Sequence, residues 1–345
     1  MSAQPEARLH SCPALNANLH GDYDRSEALL RTLGDIRDPR VRFDLAWHEL
    51  RHGHFAKGME YLAAGRLIGC YGGPRVECNA PIYEADSGVD LNGKTVLFYC
   101  EGGLGDQIIS ARFVTPLAER GARVVLSCSK SLVSLLGRIA GVSIVVDAEA
   151  IPYIHCDYWV PGSTAAKHLG FDLETLPSSP YLCATEELRE KWRQRLPAAE
   201  RRVGLRWRGD PLFEHEQHRD FDPGMMFDWA RKQPAGSVVS VQRDAGSELA
   251  PLDGSVLNLA GHLTTWDDTA AVLSLCDTVV TSCTSVAHCA AALGVKTFVI
   301  VPLLCFFPWL PLKPTSYWYD SVRVFRQVRY GSWDEPLAEA LGAIW

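Results

Sequence analysis

From Lys94 onward the chain alternates between short apolar runs and amphipathic segments, and this alternation constrains its fold more than any other feature. Runs such as TVLFYC and RVVLSC have the length and composition of buried strands, whereas DQIISARFVTPLAERG has helical periodicity. Strands that are apolar on both faces and are joined by helices predict parallel sheets covered on both sides.

The alternation occurs twice. The first series contains the predicted strands TVLFYC, RVVLSC, VSIVV and YIHCDYWV, and the second contains RVGLRW, SVVSV, TVVTS and KTFVIVP. A proline-punctuated stretch near Pro177–Pro180 separates the two series. In open α/β sheets ligands bind at the carboxyl ends of the strands, so two such halves facing each other predict a binding cleft.

The residues before the alternation are predicted to be helical. The segment VRFDLAWHELRHGHFAKGMEYLAAGR places apolar residues, including Trp47, at helical spacing on both sides of Gly53. This pattern predicts one helical hairpin, similar to a single tetratricopeptide unit, with no second clear copy. We therefore expect a helical appendage over residues 1–75, with Gly72–Gly93 as a linker, a first α/β half over 76–180 and a second over 181–345.

Charge and composition exclude several classes of protein. The net charge is −7 and no Lys/Arg block occurs, which disfavours a nucleic-acid-binding protein. The eleven cysteines are scattered without a C-x-x-C pair, which is typical of reduced thiols in a cytoplasmic protein. The N terminus lacks the apolar run of a signal peptide, and the longest apolar run, FVIVPLLCFFPWLPL, is too short for a membrane span.

The string CEGGLGDQI follows the first predicted strand. Gly103 and Gly105 match two glycines of a dinucleotide-binding motif, but Ile108 stands at the third position, and no P-loop sequence occurs. The glycines instead predict a turn that brings backbone close to a ligand and presents Asp106 at a helix start. Asp106 is then either a plain N-cap or a carboxylate at the cleft floor, able to act as a general base.

The string TSCTSVAHCAAALG contains a second helix start. The strand TVVTS is predicted to end near Ser282, and a helix to run from about Thr284 to Gly294. A helix start at the carboxyl end of a strand offers free amides to a phosphate, although many such helices bind no ligand. Two Asp-x-Asp strings, Asp22–Asp24 and Asp220–Asp222, are interpreted as solvated surface and a helix entry, so no metal site is predicted.

Together these segments resemble the bacterial heptosyltransferase-like glycosyltransferases of family nine, including members with tetratricopeptide repeats. The matching pieces follow the family's order over most of the chain: AWHELRHGHFAKGMEYLAAGR, EGGLGDQI, LETLPSSPYL, GLRWRGDPLFEHEQHRDF, SVQRD, WDDTAAVLSLCDTVVTSCTSVAHCAAALG and VRVFRQ. The resemblance implies a GT-B fold, with two Rossmann-like parallel-sheet halves facing a cleft. It places a nucleotide sugar in the second half and the acceptor against the first.

The resemblance also implies roles for individual residues. Asp106 is the expected catalytic base, and Cys283 stands where many members have Asp. The expected donor-binding residues are Arg208, Arg219, Gln242, Arg243, Cys283, Thr284, Ser285 and His288. The acceptor-side and loop candidates are Gly103, Gly105, Gln107 and Trp309.

The expected activity is transfer of a sugar from a nucleotide diphosphate to an acceptor hydroxyl, inverting and without a metal or cofactor. The acceptor is open among protein, glycan, lipid-linked saccharide and modified nucleic acid. Two alternatives are a nucleotide-sugar epimerase of the same fold and a catalytically dead module that recruits a protein through the helical hairpin.

The histidines His215 and His218 are expected in a solvated loop. The aromatic residues between Phe306 and Tyr319 are expected either to cover the sheet or to stack on a ligand.

Overall fold

A computed structural model describes residues 13–33, 35–71, 78–213 and 215–345. Over these residues the chain forms a group of helices followed by two α/β halves, each built on a parallel sheet. The predicted fold class is confirmed. Cys12 and residues 72–77, the start of the predicted linker, lie outside the described residues.

The helical part is larger than the single hairpin expected from the sequence. Its helices are α1 (Pro13–Leu19), α2 (Tyr23–Leu33), α3 (Pro39–Arg51) and α4 (Phe55–Leu62), followed by a 3₁₀ turn over Ala63–Arg66. Two helix pairs therefore precede the sheets, and each pair turns at a glycine in the left-handed region, Gly21 or Gly53. Helix α1 escaped the sequence analysis because its seven residues are too short to show a periodicity.

The sheet of the first half contains the four predicted strands, β1 (Thr95–Tyr99), β2 (Arg123–Ser127), β3 (Val142–Val146) and β4 (Tyr158–Pro161). Their order is β3-β2-β1-β4, and all pairs are parallel. The described part of the predicted linker packs on this sheet, because Ile82 forms a bridge to Trp159 and the Tyr83 side chain is buried.

The segment after β1 was expected to be one helix and is broken in two. Helix α5 (Leu104–Ser110) passes through a 3₁₀ turn into α6 (Val114–Glu119). Pro116 accounts for the break, because it has no N–H to donate to the carbonyl of Arg112 and its ring crowds that carbonyl. The remaining helices of this half are α7 (Val133–Leu136) and α8 (Ala165–His168).

The second half has six parallel strands in the order β10-β9-β8-β5-β6-β7. The strands are β5 (Val203–Arg206), β6 (Val238–Ser240), β7 (Leu257–Asn258), β8 (Thr278–Ser282), β9 (Lys296–Val301) and β10 (Val322–Arg326). The helices are α9 (Glu186–Arg195), α10 (Gly224–Ala230), α11 (Trp266–Leu273), α12 (Ser285–Ala292) and α13 (Asp334–Gly342). Four of the strands were predicted, and β7 and β10 add an edge on each side.

A single hydrophobic cluster extends through all three parts of the chain. It includes Met59 of the helical part, Phe98 of β1 and Ala287 of α12, all fully buried. The two halves and the helices therefore pack on one another through apolar side chains. No helix within the described ranges is long and apolar enough to cross a membrane.

A buried carboxylate stabilises the helical part. Glu49 has a side chain only 2% exposed, and it contacts Arg31 at 3.0 Å, His54 at 2.9 Å and Lys57 at 2.8 Å. Burial opposes ionisation of Glu49, but the hydrogen bonds from Lys57, His54 and Arg31 outweigh it and lower the pKa to about 2.

We predict that Glu49→Gln lowers the free energy of unfolding of the helical part by about 1–2 kcal/mol at pH 7, since its three partners are largely exposed. A lowered pKa stabilises the fold above the unfolded value of 4.5, and this contribution is lost as the pH falls toward 2. Urea unfolding followed by circular dichroism should therefore show a difference from wild type that shrinks between about pH 5 and pH 2. Glu60→Gln, which removes an exposed pair with Arg42, is the matched control. An equal effect of both variants at pH 7 would refute the prediction.

Candidate active site between the two halves

Asp106 lies in the first turn of α5, directly after the tight turn that follows β1. Gly102 has a φ of 77°, which favours glycine, and Gly103 occupies the N-cap position of α5. Asp106 is the third residue of the helix, and its Oδ2 accepts a hydrogen bond from the Gly103 amide at 2.9 Å. Asp106 is therefore not the N-cap itself, but its carboxylate caps the helix start from the third helical position, and this structural role stands beside the predicted role as a base.

The surroundings of Asp106 raise the pKa of its carboxylate toward neutral pH. Burial raises the pKa to about 6, against the Gly103 and Asp106 amides and the charge of Arg219, which lower it, while Glu101 adds to the increase. A carboxylate with a pKa near 6 is ionised at pH 7 and holds a proton more strongly than an exposed one. Both properties suit a general base.

The second helix start lies at the end of β8. Thr284 is the N-cap of α12, with φ −132° and ψ 174°, and its side chain caps none of the helix amides. Its hydroxyl lies 3.4 Å from that of Thr281. Thr284 is buried, whereas Ser285, the first residue of the helix, is partly exposed. The predicted helix from about Thr284 to Gly294 is confirmed, with Gly294 ending it at a φ of 81°.

The two helix starts meet at Gly105. A Cβ atom at Gly105 would lie 3.1 Å from Cδ2 of His288 and 3.3 Å from Cα of Ser285, closer than ordinary contacts. The absence of a side chain at Gly105 thus allows α5 of the first half to approach α12 of the second. Asp106 and the start of α12 consequently belong to one site.

Arg219 supplies a positive charge at this junction. Its Nη1 donates to the carbonyl of Cys283 at 2.6 Å, and its Nε donates to Oε2 of Glu216 at 2.6 Å. Glu216 is buried and also accepts a hydrogen bond from the amide of Gly209. These contacts fix the guanidinium beside the start of α12, where its charge helps to lower the pKa of Asp106 across the junction.

His288 and Trp309 pack together beneath the junction. The two rings stack at 5.2 Å with an interplanar angle of 9°, and His288 Nδ1 lies 3.1 Å from the hydroxyl of Tyr319. Burial lowers the pKa of His288 to about 3, so the ring is neutral at pH 7. Both side chains are almost fully buried. In this structure they support α12 rather than line an open cleft. Of the two alternatives expected for the aromatic residues, Trp309 therefore follows burial in the interior.

Cys283 is a neutral thiol at the position where the resemblance expects Asp. Its Sγ accepts a hydrogen bond from Nε1 of Trp309 at 3.0 Å, and burial raises its pKa to about 11. The start of α12 therefore carries no negative charge from this residue. Cys283 therefore does not repel an anion bound at this point, as an Asp side chain would.

The two candidate glutamines, Gln242 and Gln107, stabilise turns through hydrogen bonds of their side-chain amide groups. Gln242 is fully buried; its Oε1 accepts from the amide of Arg208 at 3.1 Å, and its Nε2 donates to Asp244 at 2.8 Å. Gln107 accepts from the amide of Ser129 at 2.8 Å and donates to the carbonyl of Gly102 at 3.0 Å. The geometry gives both side chains a positioning role at the carboxyl ends of the strands.

The other charged candidates lie near the ends of β5 and β6. Arg208 forms an ion pair with Asp220 at 3.1 Å, and the guanidinium of Arg243 lies 5.9 Å from the ring centre of Trp266. Asp222 accepts from the amide of Gly224 at 2.8 Å, as expected of a helix entry. The described residues contain no group of three or more His, Cys, Asp or Glu side chains that could hold a metal.

His218 differs from its expected solvated position. Its side chain is buried, and Nδ1 lies 3.1 Å from the hydroxyl of Tyr330, which is 112 residues away in the sequence. A hydrogen bond between residues so far apart in the sequence leaves no local pattern, so the burial of His218 could not be predicted.

A narrow pocket opens beside Asp106, with room for about one or two water molecules before it meets open solvent. Its lining combines one carboxylate with hydroxyl groups and apolar side chains: Tyr71, Asp106, Ile109, Ser110, Phe113, Gly162, Ser163, Ala166, Phe307 and Trp318. From this set the sequence analysis named Asp106, and it included Phe307 and Trp318 among the aromatic residues expected to cover the sheet or contact a ligand. It missed the hydroxyl groups of Ser110 and Ser163, because single serines carry no distinguishing sequence pattern.

Comparisons with known proteins agree with this architecture. The glycosyl transferase family 9 protein from Veillonella parvula superposes with a TM-score of 0.54 at 12% identity, over 69% of this chain and 87% of that one. The E. coli ADP-heptose lps heptosyltransferase II superposes with a TM-score of 0.51 at 14% identity, over 72% of this chain and 94% of that one. The chain has the GT-B fold of these glycosyltransferases. The resemblance predicted from the sequence is therefore confirmed for the fold.

One curated relative matches most of the chain. Protein FlbA of Caulobacter vibrioides is 25% identical over 352 residues, covering 92% of this chain and 57% of the FlbA sequence. The chain thus spans a little over half the length of that relative. No family model matches the chain.

We predict that Gly105→Val lowers the free energy of unfolding by about 1–3 kcal/mol, because the added side chain must displace His288 or separate the two helix starts. Gly261→Val is the matched control, since nothing lies within 4 Å of a Cβ at Gly261. Thermal and urea unfolding of both variants would measure the difference. Equal stability of the two would show that the contact at Gly105 is not tight.

Proposed function

We propose that the protein is a glycosyltransferase that moves a sugar from a nucleotide diphosphate to an acceptor hydroxyl, with inversion and without a metal. The observation that supports this most is the junction of Asp106 with Arg219 and the start of α12. A carboxylate with a raised pKa there faces a cation and a set of helix amides, and the fold is shared with glycosyltransferases.

The leaving diphosphate would bind at the start of α12. Negative charge builds up on the diphosphate as the glycosidic bond breaks, and helix N-terminal amides together with an arginine stabilise such charge without reorganisation. Arg219 is already held against the carbonyl of Cys283 at this point. Thr284 and Ser285 bring their hydroxyl groups to the same turn, and the neutral Cys283 thiol does not oppose the anion.

Asp106 would take the proton of the acceptor hydroxyl as that oxygen attacks the sugar. Transfer of a sugar passes through an oxocarbenium-like state, as glycoside cleavage does, and proton removal strengthens the attacking oxygen. The hydroxyl groups and aromatic side chains beside Asp106 suit contact with a hydroxyl-bearing molecule, which supports an acceptor at this position. The proposal includes four classes of acceptor, namely protein, glycan, lipid-linked saccharide and modified nucleic acid.

Two alternatives differ in what they require of this site. An epimerase acts on the donor alone, so it would convert a nucleotide sugar to its epimer with no acceptor present, which a transferase would not do. A dead module that recruits a partner through the helices needs no base, and the built turn around Asp106 favours an enzyme. We include a cytoplasmic location in the proposal, because Cys100, Cys128, Cys276 and Cys289 are buried thiols of the kind that a reducing compartment preserves.

The first experiment is a screen of nucleotide sugars for hydrolysis and thermal stabilisation. ADP-linked sugars come first, because one structural neighbour is named for ADP-heptose, followed by UDP- and GDP-linked sugars. Stabilisation together with slow hydrolysis supports the proposal. A response to no donor refutes the enzyme and leaves the dead module.

For the donor that this screen identifies, we predict that Asp106→Asn lowers kcat by roughly 100-fold or more, while the Kd for the nucleotide diphosphate changes less than about threefold. The amide keeps the size of the side chain but cannot take a proton. The exposed Asp86→Asn is the matched control and should behave as wild type.

The same residue predicts a pH profile. Since the base acts when ionised, kcat should fall about tenfold per pH unit below its pKa of about 6 and level off above it. Retained turnover in Asp106→Asn, or an acid limb near pH 4, would remove Asp106 from the reaction.

A further inference from the structure

The turn that carries Asp106 is held from outside by the end of the helical part. The amide of Gly102 donates to the carbonyl of Tyr71 at 3.2 Å. Arg66 forms a fork with Glu101, with Nε donating to Oε1 at 2.6 Å and Nη2 to Oε2 at 2.7 Å. The side chain of Glu101 is 1% exposed and that of Arg66 is 14% exposed, so this ion pair is shielded from water.

The same carboxylate joins the loop after β4. The amide of Ser163 donates to Glu101 Oε2 at 3.1 Å, and its hydroxyl donates to the same oxygen. Arg66 Nη2 also lies 3.2 Å from the hydroxyl of Thr164. Glu101 therefore ties together the helical part, the glycine turn and the β4 loop, and Ser163 and Tyr71 line the pocket that Asp106 lines.

We propose that the segment from Arg66 to Tyr71 is a positioning element of the active site, in which the Arg66–Glu101 pair holds the turn that presents Asp106. Arg66 and Glu101 are positioning residues, since they act through Asp106 and do not contact the reacting atoms. The inference rests on the proposed role of Asp106 as the base. It makes the helical part a component of the catalytic unit, in addition to any surface that it offers to a partner.

The pair also sets the charge that Asp106 experiences. The titratable and charged groups around the turn are Tyr71, Glu101, Arg219, Cys283 and His288. Glu101 contributes the negative charge of this set, and Arg66 compensates for it through a bidentate ion pair. Loss of the charge on Glu101 should therefore make Asp106 more acidic, and loss of the charge on Arg66 should make it less acidic.

The test is a titration of Asp106 that needs no substrate. The ¹³C carboxyl resonance of Asp106, assigned by its absence in Asp106→Asn, is followed against pH in wild type, Arg66→Met, Arg66→Lys, Glu101→Gln and the double variant Arg66→Met/Glu101→Gln. Arg42→Met, which breaks an exposed ion pair in the same helical part, is the matched control. Circular dichroism verifies that each variant is folded, and the pH dependence of donor hydrolysis is measured in parallel.

We expect the pKa of Asp106 to fall by about 0.5 or more in Glu101→Gln and to rise by a similar amount in Arg66→Met. Arg66→Lys keeps the charge and should titrate as wild type, and so should Arg42→Met. In the double variant the pKa of Asp106 should lie close to that of wild type, because the two charge changes act on Asp106 in opposite directions. The acid limb of hydrolysis should move with the NMR titration.

An unchanged titration in the folded Glu101→Gln variant would overturn the proposal, even if Arg66→Met failed to fold. A shift in the pKa of Asp106 in Arg42→Met as large as that in Glu101→Gln would also overturn it, because Arg42 takes no part in the turn. The two proposals fail separately. A titration that moves in a protein without any hydrolysis would sustain the coupling and remove the enzyme, whereas a fixed titration in an active enzyme would do the reverse.

Discussion

The close approach of α5 and α12 at Gly105 is the constraint on which the site depends. Each helix begins at the carboxyl end of a central strand, one in each half, and a side chain at Gly105 would meet His288 and Ser285 at 3.1–3.3 Å. Because glycine stands there, the carboxylate of Asp106 is brought to the same junction as Arg219. Without this contact, the carboxyl ends of the two sheets would not meet, and the residues that follow their strands would not form one site.

The charges at this junction are arranged by buried groups that do not face the cleft. Glu216 fixes Arg219 by a hydrogen bond, and the indole of Trp309 donates a hydrogen bond to the sulfur of Cys283. Glu101 lies behind the turn that carries Asp106 and raises the pKa of Asp106. The result is one carboxylate with a raised pKa opposite one cation. Cys283 in place of a carboxylate leaves that cation and the helix amides without a competing anion on the second half.

The sequence was informative wherever a pattern is local. Buried strands, the glycine turn and the start of α12 could be predicted because each lies within a few residues of its signal. Asp106 was named as the candidate base for the same reason, since it follows a strand and three glycines, and that role stays a prediction. The Arg66–Glu101 pair joins residues 35 apart, and the burial of His288 depends on Trp309 and Tyr319, so neither could be deduced before the fold was known. Pro116 signals the break in the helix after β1, but the helical periodicity on both sides of it predicted one continuous helix.

The most direct measurement is a crystal structure of the protein with a bound nucleoside diphosphate, taken as ADP or, if ADP does not bind, as UDP or GDP. The β-phosphate should lie within about 2.7–3.2 Å of the backbone amide of Ser285 or Val286 and should contact the guanidinium of Arg219. A diphosphate bound elsewhere, with these amides and Arg219 uncontacted, would contradict the assignment of this junction as the donor site.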